Sequence, residues 1–161
     1  MSLYFTRLRH GYPNPPQQPS DWEGSWKVYT FCTTQVATSC STRADVANLP
    51  YEDKINARRS YVTLVHKAQT GQPLPELYDE KQCHGAHTFK HDHQEVKIFR
   101  IWGAGKIRIY FLYLASKRIV LLKTCSKRRD RLTDGETMEL EQLAKAILQC
   151  VDHYSFEARE I

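Results

Sequence analysis

No stretch of this chain comes near the ~20 consecutive apolar residues that a bilayer-spanning helix needs. The N-terminal residues also lack the apolar core of a secretory leader, so neither a membrane-embedded nor a secreted protein is expected. The five cysteines, at positions 32, 40, 83, 125 and 150, contain no C-x-x-C pair and are odd in number. That disfavours a dithiol redox motif and a complete disulfide framework. They read as small buried hydrophobes in a reduced, cytoplasmic protein. No internal repeat is present, so a solenoid is not expected. Zinc spacing is missing too. Cys83, His84, His87, His91 and His93 crowd one stretch, but C-H-x2-H-x3-H-x-H does not pair ligands as C-x2–4-C and H-x3–5-H do. No metal and no cofactor is expected.

Acidic residues are scarce in one place. From Lys90 to Arg131 there are 12 Lys and Arg against 3 Asp and Glu, whereas the whole chain has a net charge of only +5. The basicity is therefore segmental. A concentrated positive charge points to a polyanion, nucleic acid above all, with an ordinary solvated surface as the competing reading.

The same segment holds three apolar runs rich in Ile, Val, Phe and Tyr: Val96–Trp102, Ile107–Ala115 and Ile119–Thr124. Such residues suit a pleated sheet, and Gly103-Ala104-Gly105 and Ala115-Ser116-Lys117 are turn signals. Breaks this short permit hairpins and not crossovers, so the segment is expected to be an antiparallel three-strand meander. Alternation along the second run puts Lys106, Arg108, Tyr110 and Leu112 on one face, and Ile107, Ile109, Phe111 and Tyr113 on the other. The first face is expected to be cationic and aromatic, able to pair with phosphates and stack a base, and the second to be core.

Around the meander the chain reads as follows. Residues 1–24 form a Pro-rich arm, with Tyr12-Pro13-Asn14-Pro15-Pro16 at its centre, and residues 25–161 form one domain. Trp26–Cys32 is an aromatic, alternating strand. A short helix is expected near Thr42–Ala47. A longer one runs from Pro50 to Gln69, with Ala57, Tyr61, Leu64, Val65 and Ala68 on one face. Its other face carries Lys54, Arg58, Arg59 and Lys67, read as solvated surface. Residues Leu74–His93 look like loop. Thr133 and Glu136 fit a capping box, and Leu140, Leu143, Ala144, Ile147, Leu148 and Val151 follow at helical spacing. The fold class is α+β: an antiparallel sheet, made of the N-terminal strand and the meander, with helices packed on one face.

Two pairs of runs then resemble the RelE/ParE superfamily of bacterial toxins, especially its HigB-like, phage-associated branch. Lys97-Ile98-Phe99-Arg100 followed by Ile107-Arg108-Ile109-Tyr110-Phe111 looks like that family's paired strands. Ile119-Val120-Leu121-Leu122-Lys123 followed by Ser126-Lys127-Arg128-Arg129 looks like its third strand and basic segment. The resemblance spans residues 50–153 and is best over 96–148. It implies a small RelE-like toxin domain and a metal-independent mRNA interferase, acting on mRNA at the ribosome and neutralised by a small antitoxin.

Carried over by position, Arg108 is the central-strand arginine that stabilises the phosphate, with Lys127 and Arg128 as the basic segment beside it. Arg100 matches the arginine of the preceding strand, with a structural ion pair as the competing reading; Lys106 and Tyr110, from the alternation above, and Lys97 are expected to join it in binding RNA, with Arg129 adding field. Relatives place a Tyr or His near the C-terminus, but this chain has Thr133, Asp134 and Gly135 there, with His153 and Tyr154 only at a helix end. His91 or His93, just ahead of the meander, is then expected to relay the proton. Two other readings stay open: a non-enzymatic, ParE-like inhibitor, and a nucleic-acid-binding protein of the same fold without toxicity.

Overall fold

Seven of the eight residues of Ile107–Leu114 are buried, so this strand has no wet face. A strand apolar on both sides must lie inside a sheet that is covered on both sides. In the computed structural model, which describes residues 3–8, 23–34, 39–78, 82–126 and 132–151, it is the fifth of six strands.

The element order is β1 (Tyr4–Leu8), β2 (Lys27–Cys32), α1 (Ser41–Ala47), α2 (Tyr51–Gln69), α3 (Leu74–Leu77), β3 (Cys83–His91), β4 (Gln94–Trp102), β5 (Ile107–Leu114), β6 (Arg118–Ser126) and α4 (Asp134–Val151). The sheet order is β1-β2-β6-β5-β4-β3. Helix α4 covers one face through Leu140, Ala144 and Ile147, which pack on Ile98, Tyr110, Leu112 and Val120. On the other face α1, α2 and α3 meet Ile101, Ile109, Phe111 and Leu121 through residues such as Val46, Leu64 and Leu74.

The α+β class and the meander stand as expected; the sheet is larger than expected and differs in three ways. Two strands were not anticipated. β1 lies inside the stretch read as an arm and pairs antiparallel with β2 from Tyr4↔Cys32 to Leu8↔Val28. β3 lies in the stretch read as loop and pairs with β4, which makes the meander four-stranded. β3 has Gly and His where a central strand has Ile and Val. As an edge strand it buries just two residues deeply, Cys83 and Phe89, so its apolar period is faint. Second, β2 runs parallel to β6, so the sheet is mixed and not antiparallel. Third, helices cover both faces.

Local signals account for the connections. Asp92 and His93 have φ of 48° and 65°, the left-handed pair that a two-residue hairpin requires. Gly103 brings the β4–β5 turn onto α2. There Ser60 Oγ accepts from the Ala104 N–H at 2.9 Å and donates to the Asn56 carbonyl at 2.7 Å. A Cβ at position 103 would sit 2.2 Å from Ser60 Oγ. The capping box forms as read: the Thr133 N–H donates to Glu136 Oε1 at 3.0 Å, and the Glu136 N–H to Thr133 Oγ1 at 3.2 Å. Among the described residues no helix is long and apolar enough to cross a membrane.

Candidate nucleic-acid interface

Antiparallel pairing of β4 with β5 sets Arg100 opposite Tyr110 and Trp102 opposite Arg108. On β5's other side Arg108 faces Cys125, and Ile107 faces Ser126, the last residue of β6. Residues that are remote in sequence thus gather at one end of the sheet, on the side that α4 covers. β6 ends here at Ser126; Lys127, Arg128 and Arg129, which follow it in sequence, lie outside the described residues.

The cluster is only partly open. Trp102 is 41% exposed, and its Nε1–H donates to the Gly105 carbonyl at 3.0 Å, which fixes the indole. The Arg108 guanidinium lies 4.1 Å from the indole centroid, a close cation–π stack. Arg108 Nη1 also donates to the Ile107 carbonyl at 3.0 Å, and the residue is buried. Arg100, half-buried, donates from Nη2 to His84 Nε2 at 2.6 Å. The other ring nitrogen of His84 lies 2.9 Å from the Gly85 carbonyl. Together these contacts fit the tautomer with its proton on Nδ1 and a lone pair on Nε2. Lys106, in the β4–β5 turn, is exposed.

Tyr110 does not face a ligand. It is fully buried beneath α4, and that burial, reinforced by Cys125 and Glu136 and offset in part by Arg100 and Arg108, pushes its hydroxyl well above its ordinary pKa. The open cationic strand face expected over Lys106–Leu112 is therefore corrected: both faces of β5 are core, and positive charge shows only at the strand's end. The reason is α4, whose apolar stripe needs a sheet to rest on.

Two other expectations separate in space. Lys97 is exposed on the opposite side of β4, its Nζ 5.9 Å from the Phe99 ring centroid, away from Arg100. His91 and His93 sit at the β3–β4 hairpin, where His91 pairs with Gln94 and its Nε2 lies 3.4 Å from Asp92 Oδ2. Trp102 closes the other end of β4, ~26 Å away at about 3.3 Å per residue. The hairpin thus places His91 and His93 at the opposite end of β4 from Arg108 and does not bring them together with it.

Sequence reasoning missed Trp102 and His84. Trp102 was counted as the end of an apolar run, and only its pairing with Arg108 marks it out. His84 was one of several histidines in an apparent loop. Its tie to Arg100 depends on the register across the β3 bulge between Gly85 and His87. Among the described residues no three His, Cys, Asp or Glu come together as metal ligands.

A second concave region lies on the other face of the sheet, between α1 and α2. It has a volume of about 460 Å³, and Arg43, Lys54 and Arg58 line it.

No family model, curated protein or solved structure matches the chain.

Proposed function

We propose that this chain is the toxin of a type II toxin–antitoxin pair, an mRNA interferase that binds single-stranded RNA at the β4–β5 end of its sheet and cleaves it. One observation carries the reading: Trp102 stacked on Arg108, with Arg100 and His84 beside them, at the end where β6 hands over to Lys127–Arg131. Aromatic faces among cations are the usual means of holding an unpaired strand, since bases stack while the cations meet phosphates. The reading also rests on the sequence order of meander, basic segment and capped helix, while the six-stranded mixed sheet is larger than the small RelE-like arrangement the resemblance implies.

The chemistry follows from the groups present. The ribose 2′-oxygen bonds to the adjacent phosphorus as the bond from phosphorus to the 5′-oxygen breaks. One proton leaves the 2′-hydroxyl and one reaches the departing 5′-oxygen. In this reading Arg100 turns its Nη2–H from His84 Nε2 to the phosphate, the freed His84 Nε2 lone pair takes the 2′-hydroxyl proton in place of His91 or His93, and water protonates the departing 5′-oxygen. Arg100 and Arg108 supply fixed positive charge as the phosphorane forms, with Lys106 and the basic segment adding field. In this reading the partners are mRNA on the ribosome and a small antitoxin that covers the cationic end, all in the cytoplasm.

The non-enzymatic alternative has its own support: Arg108 Nη1 is engaged by the Ile107 carbonyl and Tyr110 is sealed in the core, so few groups remain for chemistry. An in vitro translation reaction read by primer extension decides. Codon-phased cuts support the interferase. Gyrase inhibition without cuts supports the ParE-like reading, and neither result leaves a nucleic-acid-binding protein.

A further inference from the structure

In sequence, Lys54 and Arg58 belong to a helix face that reads as solvated surface, with a second binding site as the alternative; the structure adds Arg43 of α1 to them. The groove between α1 and α2 is an open concavity. Arg43 comes from α1, and Lys54 and Arg58 from consecutive turns of α2; all three line one space of about 460 Å³. Ligand sites for small molecules span roughly 300–1,000 Å³, so the size fits a compact ligand.

Among the described residues no acid is paired with this charge. The acid nearest in sequence to Arg43, Asp45, is turned inward, where its Oδ2 accepts from the Thr124 N–H at 2.8 Å. Three unpaired cations held around one concavity repel each other, and an anion placed there removes that cost. The rest of the lining is different in kind. Leu8 and Val46 contribute apolar surface, and Tyr61 contributes a ring whose hydroxyl is tied down by Thr124 Oγ1. Cations, apolar surface and a fixed aromatic ring lining one space match a ligand with a doubly charged head and a flat body.

We infer that the α1–α2 groove binds a nucleoside monophosphate, with the phosphate between Arg43, Lys54 and Arg58 and the base against Tyr61 and Val46. Arg guanidinium groups take phosphate oxygens two at a time, and Lys adds a point charge. The site lies on the opposite face of the sheet from α4, so it is distinct from the Trp102–Arg108 cluster and independent of whether RNA is cut.

Isothermal titration of the full chain tests this, with adenosine 5′-monophosphate, adenosine and inorganic phosphate as probes. The nucleotide binds saturably at about 1 mM or below, and Arg58→Glu and Lys54→Glu each weaken it ~10-fold or more. Adenosine and inorganic phosphate each bind at least ~10-fold more weakly than the nucleotide. Thermal melts of the variants match the parent, because Arg58 is exposed and Lys54 half-exposed. No heat from the nucleotide at about 10 mM, an affinity untouched by either charge reversal in a folded variant, or phosphate alone binding as tightly as the nucleotide would each overturn the inference.

Discussion

The guanidinium of Arg108 lies 4.1 Å from the centre of the Trp102 ring, and the two residues are direct cross-strand partners. The indole is held on one side by the cation and at its edge by the Gly105 carbonyl, yet 41% of the residue remains exposed. A ring pre-oriented in this way offers a stacking surface at little entropic cost. Replacing Trp102 by Ala is expected to weaken binding of a short single-stranded RNA by ~1–3 kcal/mol, with Phe intermediate. Fluorescence anisotropy of a labelled oligonucleotide measures it, and titration of the Trp102→Phe variant shows how much of the fluorescence quenching on binding comes from this indole.

His84 and the hairpin histidines make opposite predictions. His84→Gln should lower RNA cleavage by ~10²-fold or more while leaving RNA affinity within a factor of about two, since general acid–base help of this kind supplies ~10²–10⁴. His91→Gln with His93→Gln should change neither. Primer extension on a translation reaction reads all three chains, and a loss confined to the hairpin double variant would reverse the assignment.

Gly103→Ala is expected to destabilise the fold by ~1–3 kcal/mol, as an added methyl meets Ser60 Oγ and forces the turn off α2. Adding Ser60→Gly opens the space and should recover part of the loss. Urea melts of the single and double variants show this as non-additivity.

Burial raises the Asp45 carboxyl above its ordinary 3.8, with the Thr124 N–H and Lys123 opposing that shift. A carboxyl raised in the folded state contributes stability below its unfolded pKa, and loses it as pH climbs through the folded value. Asp45→Asn keeps an oxygen for the Thr124 N–H and cannot ionise. Its stability should therefore fall less between pH 4 and pH 7 than the parent's, on denaturant melts at both pH values. Asp45→Ala removes the acceptor and should cost ~1–3 kcal/mol at either pH.

Much of this architecture is legible in the residues, for reasons that differ by element. The meander announces itself because β5 and β6 are central strands with little polar interruption, and α4 because Thr133, Glu136 and its apolar stripe each repeat the same message. β3 does not, since its Gly, His and Lys residues carry little of the strand's burial. β1 hides beside Pro-rich sequence, and its five residues have meaning only once β2 offers an edge. The site follows the same rule. Arg100 and Arg108 stand out in their runs, but Trp102 and His84 acquire a role only through register. Tyr110 misleads because alternation says which residues share a face and not whether a helix covers it.

The central claim is that the β4–β5 end of the sheet holds an RNA backbone by charge. Its most direct test is the affinity for a single-stranded RNA measured across a salt titration, for the parent and for an Arg100→Ala/Arg108→Ala variant. The account predicts that log K falls linearly with log salt, and that the double variant both binds more weakly and shows a slope shallower by roughly one to two, at about 0.7 per phosphate contact. An affinity that stays flat with salt, or a slope the double variant leaves unchanged, would contradict it.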